Sequence, residues 1–117
     1  MNRYPHQKLH FYHHSLESHR EVIVIKKSLP RGLGELVDQL YRASSSTVLN
    51  IAEGAGAWMP GSKRRHMRSA IASMGECAAA LDLISMEVEI DPCVLEAAHR
   101  ELGLAQRMTA GLLKRPG

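Results

Sequence analysis

Aromatic side chains are scarce in this chain. There are one Trp, one Phe and three Tyr among 117 residues, or 4%. The core must therefore be aliphatic, built from Leu, Ile, Val, Ala and Met. That argues against a sandwich or barrel, whose strands draw on aromatic and β-branched residues, and favours packed helices. Cysteine is nearly absent too. Cys77 and Cys93 lie far apart with no metal-like spacing, and they read as reduced thiols of a cytoplasmic protein. No apolar run approaches the roughly 18 residues of a membrane span. The longest, Val22-Ile23-Val24-Ile25, ends at Lys26-Lys27, so no membrane role is expected. The first fifteen residues are broken by His and Lys and show no signal-peptide pattern. No second strand-like run exists to pair with Val22–Ile25, which excludes a sheet built on it.

What remains is helical periodicity. Hydrophobic residues make up 44% of the chain, enough for one modest core. A single domain spanning residues 1–117 is expected, with residues 1–8 flexible. The first helical segment runs from about His14, or earlier near Leu9, to Leu29, and Pro30 stops it. The second covers about Leu33 to Ala55, with Leu36, Leu40, Ala43, Thr47 and Ile51 in register. The third runs from about Ser62, a plausible N-cap, to Val88. The fourth starts at Asp91-Pro92, an N-cap followed by proline, and continues to about Lys114. The connections are short, so neighbours should be antiparallel. The expected fold is all-α, an antiparallel up-down four-helix bundle.

The second segment carries a polar interruption from Arg42 to Gly54. Buried Ser, Asn and Glu need partners. The turn between segments two and three centres near positions 59 and 60, so facing residues should have numbers summing to about 119. Arg42 then meets Glu76, Ser46 meets Ser73, Asn50 meets Ser69, and Glu53 meets His66, one residue from Arg65. These residues form an assembly seam: Arg42, Ser46, Asn50 and Glu53 on one helix, Ser73 and Glu76 on the other. Packing, register and oligomerisation explain such a seam better than a ligand site. Loss of Glu76 is expected to harm folding or assembly more than loss of Glu17.

Net charge is +3, with a pI near 9.1, which permits nucleic-acid contact without demanding it. The densest basic patch is Lys63, Arg64, Arg65 and Arg68, with His66 among them. Cations at the start of a helix oppose its dipole, which invites a functional reading as phosphate contacts. The competing reading is a solvated helix end, with Arg65 answering Glu53. Base readout is not expected, since the patch has no interleaved aromatics. Trp58 lies in the adjacent turn, either as a lid on the bundle end or as an anchor for a partner.

The Arg42–Gly54 segment and the later Ala70, Ser73 and Glu76 also carry a resemblance. The chain resembles the bacterial four-helix bundle proteins encoded in intervening sequences of 23S ribosomal RNA. It shares their Arg-Ala, Ser and Asn-Ile-Ala-Glu-Gly pattern at Arg42-Ala43, Ser46 and Asn50 to Gly54, then their Ala-x-x-Ser-x-x-Glu. The resemblance spans about Leu9 to Leu113. The chain departs from the pattern at Val48 and Leu49, where Pro then Ser is frequent, at Ala72, where Gly is frequent, and near Met67, where an aromatic is common. The resemblance implies a ring-forming bundle, commonly a homopentamer. It also implies relatives among accessory proteins of diversity-generating retroelements, which bind nucleic acid and a reverse transcriptase.

No constellation for catalysis emerges. Ser44, Ser45 and Ser46 sit mid-helix without local His and Asp. Gly54-Ala55-Gly56 lacks a phosphate-cradling pattern. Glu53 and Glu76 lie about two turns apart along the hairpin. His10 and His14 are spaced i, i+4 but no carboxylate or cysteine joins them at a fixed spacing. Glu96 with His99 is a single Glu-x-x-His, and a di-iron site needs two. No metal or cofactor is expected. The reading is a non-enzymatic oligomeric bundle that binds RNA or DNA as an accessory factor. The alternative is a structural or protein-interaction scaffold.

Overall fold

The computed structural model describes residues 3–115. Four helices follow one another: α1 (His10–Ser28), α2 (Gly34–Gly56), α3 (Pro60–Glu87) and α4 (Pro92–Leu113). Each packs on its neighbours in the order α1, α2, α3, α4 and back to α1, with no diagonal contacts among the described residues. This is the up-down four-helix bundle. The 28 residues of α3, at 1.5 Å each, give about 42 Å, close to the longest dimension of 45 Å.

The core positions explain why the helices associate. The buried residues Val37, Leu40, Ser44, Thr47, Ile51 and Gly54 of α2 recur every three or four residues. So do Met67, Ala70, Met74, Cys77, Leu81 and Ile84 of α3. This alternation is the heptad spacing of helices that cross at shallow angles. Among the described residues Phe11 is the only aromatic side chain fully in the core. Two serines, Ser15 and Ser18, occupy core positions of α1 where an apolar pattern would not place them. Each is satisfied by a carbonyl: Ser15 donates to Tyr12 O at 2.6 Å, and Ser18 donates across the helix interface to Ala98 O at 3.2 Å.

The helix ends differ from expectation at one point. Ser62 does not cap α3. The cap position is Met59, and Pro60 takes the first helical position, where its fixed φ fits and its missing N–H is not needed. Asp91 does cap α4, accepting from Cys93 N–H at 2.9 Å. Gly32, at φ 103°, turns the chain between α1 and α2 in a backbone region unfavourable to other residues. Within the segment expected to be flexible, Pro5–Lys8 forms a 3-10 turn that packs against α1 and α2; residues 1–2 lie outside the described residues. A second correction concerns α3. It contains an 18-residue window apolar enough, by length and composition alone, to cross a membrane. The window arises because small apolar residues occupy several faces of α3, while its heptad stripe is buried in the bundle.

Helices α2 and α3 approach closely at Gly54. A methyl group there would stand 2.9 Å from the tip of Met67, 3.2 Å from His66 Cβ and 3.3 Å from the Lys63 carbonyl. Gly75, in the middle of α3, has open space instead. Gly75→Ala should stabilise the fold by about 0.5–1 kcal/mol through helix propensity. Gly54→Ala should lose that gain to crowding, and Gly54→Val should cost about 1–3 kcal/mol. Urea unfolding of the three variants checks the ordering.

Candidate nucleic-acid interface at the basic end of the bundle

The antiparallel topology brings the 3-10 turn, the end of α2, the start of α3 and the end of α4 to one end of the rod. Ser18 with Ala98, and Ser46 with Ser73, mark a level near its waist. On the side of that level containing residues 3–18, 46–73 and 98–115 stand ten of the fifteen Lys and Arg and three of the twelve Asp and Glu, a net +7. The other side carries five Lys and Arg against nine acids, a net −4. A modest overall charge thus conceals a strongly polarised rod. Within α3 the segregation is complete: its four cations lie between positions 63 and 68, and its three carboxylates are Glu76, Asp82 and Glu87.

The basic patch divides in two. Lys63 Nζ donates to Ala55 O at 2.9 Å and to Gly54 O at 3.4 Å. Arg64 donates to Leu113 O at 2.6 Å and to Arg115 O at 3.3 Å. Both cations therefore cap the C-terminal ends of neighbouring helices, where positive charge is favoured. They oppose the dipole of α3 but complement those of α2 and α4. Arg65 and Arg68 make no hydrogen bond or ion pair among the described residues and are exposed, spaced i, i+3 on one side of α3. Glu53 is answered by His66, not Arg65.

Trp58 is not a lid. It is 96% exposed, beside Met59 at 67%. Nearby, a cavity of about 540 Å³ has Met67, Leu112 and Leu9 among its apolar lining and Arg3, Lys8 and Lys63 among its cations.

The assembly seam is partly made within one chain. Ser46 and Ser73 hydroxyls are 2.9 Å apart, and His66 Nδ1 lies 3.4 Å from Glu53 Oε2, both on the expected register. Asn50 departs from it. Its Nδ2 donates to Ser46 O at 2.9 Å, and its Oδ1 accepts from His66 Nδ1 at 3.3 Å, leaving Ser69 exposed and without it. The amide nitrogen is satisfied within its own helix, and the oxygen meets His66, one helical turn nearer the loop than Ser69. His66 Nδ1 faces two acceptors and must carry the proton. Arg42 and Glu76 are not the expected buried pair. Both are exposed, and neither forms an ion pair among the described residues. They line an open groove of about 510 Å³ between α2 and α3, with Ser46, Ser73, Ala79 and Leu83. Any cost of losing Glu76 therefore lies outside the packing of the single bundle.

Sequence reading missed the polar contacts of the other interfaces. His19 Nδ1 is 2.8 Å from Ser44 Oγ between α1 and α2. His14 Nδ1 is 2.5 Å from Glu101 Oε2 between α1 and α4. His99 Nε2 is 3.9 Å from Asp82 Oδ1 between α3 and α4. One histidine thus bridges each of the four helix interfaces. Their positions in sequence do not reveal this, because every partner comes from a different helix. No group of three His, Cys, Asp or Glu converges among the described residues.

A family model described as 23S rRNA-intervening sequence protein matches residues 7–111, most of the chain. No curated protein matches it.

Two predictions follow from these contacts. Arg64→Ala should cost about 0.5–2 kcal/mol through lost capping, whereas Arg65→Ala should change stability by less than about 0.5 kcal/mol. Thermal melting separates them. Burial, with Lys26 nearby, holds the His19 imidazole below its usual range. The unfolded chain therefore takes up this proton first as pH falls. The stability linked to His19 is full above about pH 6.5 and declines as pH drops toward the lowered folded value. Cys77 shows the opposite limit: burial pushes its thiol up to about 11, so its contribution is lost on alkaline titration. Urea midpoints should fall on mild acidification, and less so in His19→Gln.

Proposed function

The chain belongs to the 23S rRNA-intervening sequence protein family, and on that premise we propose that it is a non-enzymatic accessory factor that binds nucleic acid electrostatically. The binding surface is the basic end of the bundle. The observation that carries this reading is the segregation of charge: +7 on one side of the waist against −4 on the other. A polyanion meets a field far stronger than the net +3 suggests. Arg65 and Arg68 are the contacts best placed for phosphate, because they are exposed and uncommitted. Lys63 and Arg64 add field while serving as caps. A homopentameric ring would repeat this end five times and raise avidity without new contacts. Two free cysteines suit a cytoplasmic location.

One observation favours the scaffold reading as a second. The groove holding Arg42, Ser46, Ser73 and Glu76 is open and floored by small residues. Exposed Leu83 and Met86, at 48% and 83%, extend apolar surface along the same helix. Such a surface suits another copy of the chain or a protein partner.

Salt separates the two readings. Binding to RNA or DNA, followed by fluorescence anisotropy, should weaken steeply between about 50 and 200 mM salt. The double variant Arg65→Ala with Arg68→Ala should reduce the slope of log K against log salt by about 1.4–1.8, the share of two phosphate contacts. No salt-sensitive binding of any RNA or DNA would leave the scaffold reading standing.

A further inference from the structure

We infer that the basic end takes single-stranded nucleic acid, with a base stacked on Trp58 and the adjoining backbone held by Arg65 and Arg68. The inference rests on the nucleic-acid reading and names its substrate class. Trp58 is the sole tryptophan and is 96% exposed. It forms no part of the core. A side chain of that size left in water contributes nothing to this fold, and it offers a rigid aromatic face to a partner. The chain places it two residues before Pro60, where α3 begins. Arg65 and Arg68 stand about 8 and 12 Å further along that helix. The loop is thus an aromatic platform at the edge of a cationic surface, the combination that binds single strands.

Charge selects among the partners an exposed Trp could take. With +7 on this side of the waist, the favoured partner is a polyanion that also presents planar aromatic faces. Duplex bases are already stacked on one another and leave only their edges accessible in the grooves. An unpaired strand offers both the phosphates and the open face. The missing aromatics within positions 63 to 68 do not forbid this, because the ring is supplied by the preceding loop.

The fluorescence of Trp58 reports directly on its own environment. The test titrates the full chain at low salt with an oligothymidine or oligouridine of about 20 nucleotides, and with a hairpin duplex carrying the same number of phosphates. The expected result is saturable quenching by the single strand and much weaker quenching by the hairpin. Trp58→Ala should weaken single-strand binding by roughly five- to a hundredfold while leaving the salt slope unchanged; Trp58→Phe should retain most of the affinity. Equal binding of both forms, with no quenching and no effect of Trp58→Ala, overturns the stacking inference and leaves the electrostatic reading intact. In that case the ring is free for a protein partner. Binding of neither form overturns both.

Discussion

The approach of α2 to α3 at Gly54 is the constraint on which the rest of the molecule depends. With only one aromatic in the core, these two helices cannot be spaced by bulky rings, and they meet at van der Waals distance over a glycine. That contact sets the register of the long hairpin. In this register Ser46 reaches Ser73, and His66 sits between Asn50 and Glu53. It also places Lys63 beneath the last carbonyls of α2. Four residues of the Asn50–Gly54 run thereby acquire a physical reading. Asn50 and Glu53 hold a histidine of the facing helix, Ile51 fills the core, and Gly54 permits the approach.

The helices and their order were legible in the sequence because heptad spacing, Pro30, Asp91-Pro92 and short turns all agree on them. Two seam pairs were also legible, since antiparallel register is simple arithmetic once the turn is located. Asn50 escaped that arithmetic because its amide nitrogen bonds back to Ser46 in its own helix, which aims the oxygen at His66 and away from Ser69. The buried serines of α1 escaped because an apolar pattern treats serine as a surface residue, whereas a carbonyl on its own or a neighbouring helix can satisfy it.

The basic patch was legible as composition but not as structure. Taken alone, the start of α3 is a poor place for Lys63 and Arg64, because their charge opposes its dipole. In the bundle, two other helices end beside it, and their terminal carbonyls outweigh the opposing dipole locally. The same effect obscured the charge polarity. It is carried by α3, by α4 with Lys114 and Arg115, and by Arg3 and Lys8 near the N-terminus, while α1 runs against it, so no window outside α3 displays it. Only α3 carries the whole gradient in sequence order.

A rod with +7 on one side of its waist and −4 on the other is an electric dipole, and dipoles make symmetry matter. If copies are related by rotation about an axis parallel to the helices, every cationic end falls on the same face. The assembly becomes a disc with one positive and one negative side, and its far field grows with each added copy. A two-fold axis perpendicular to the helices does the reverse: it sets unlike ends side by side and cancels the field. Copy number alone therefore says little about attraction for a polyanion. The point group decides whether association amplifies the field or extinguishes it.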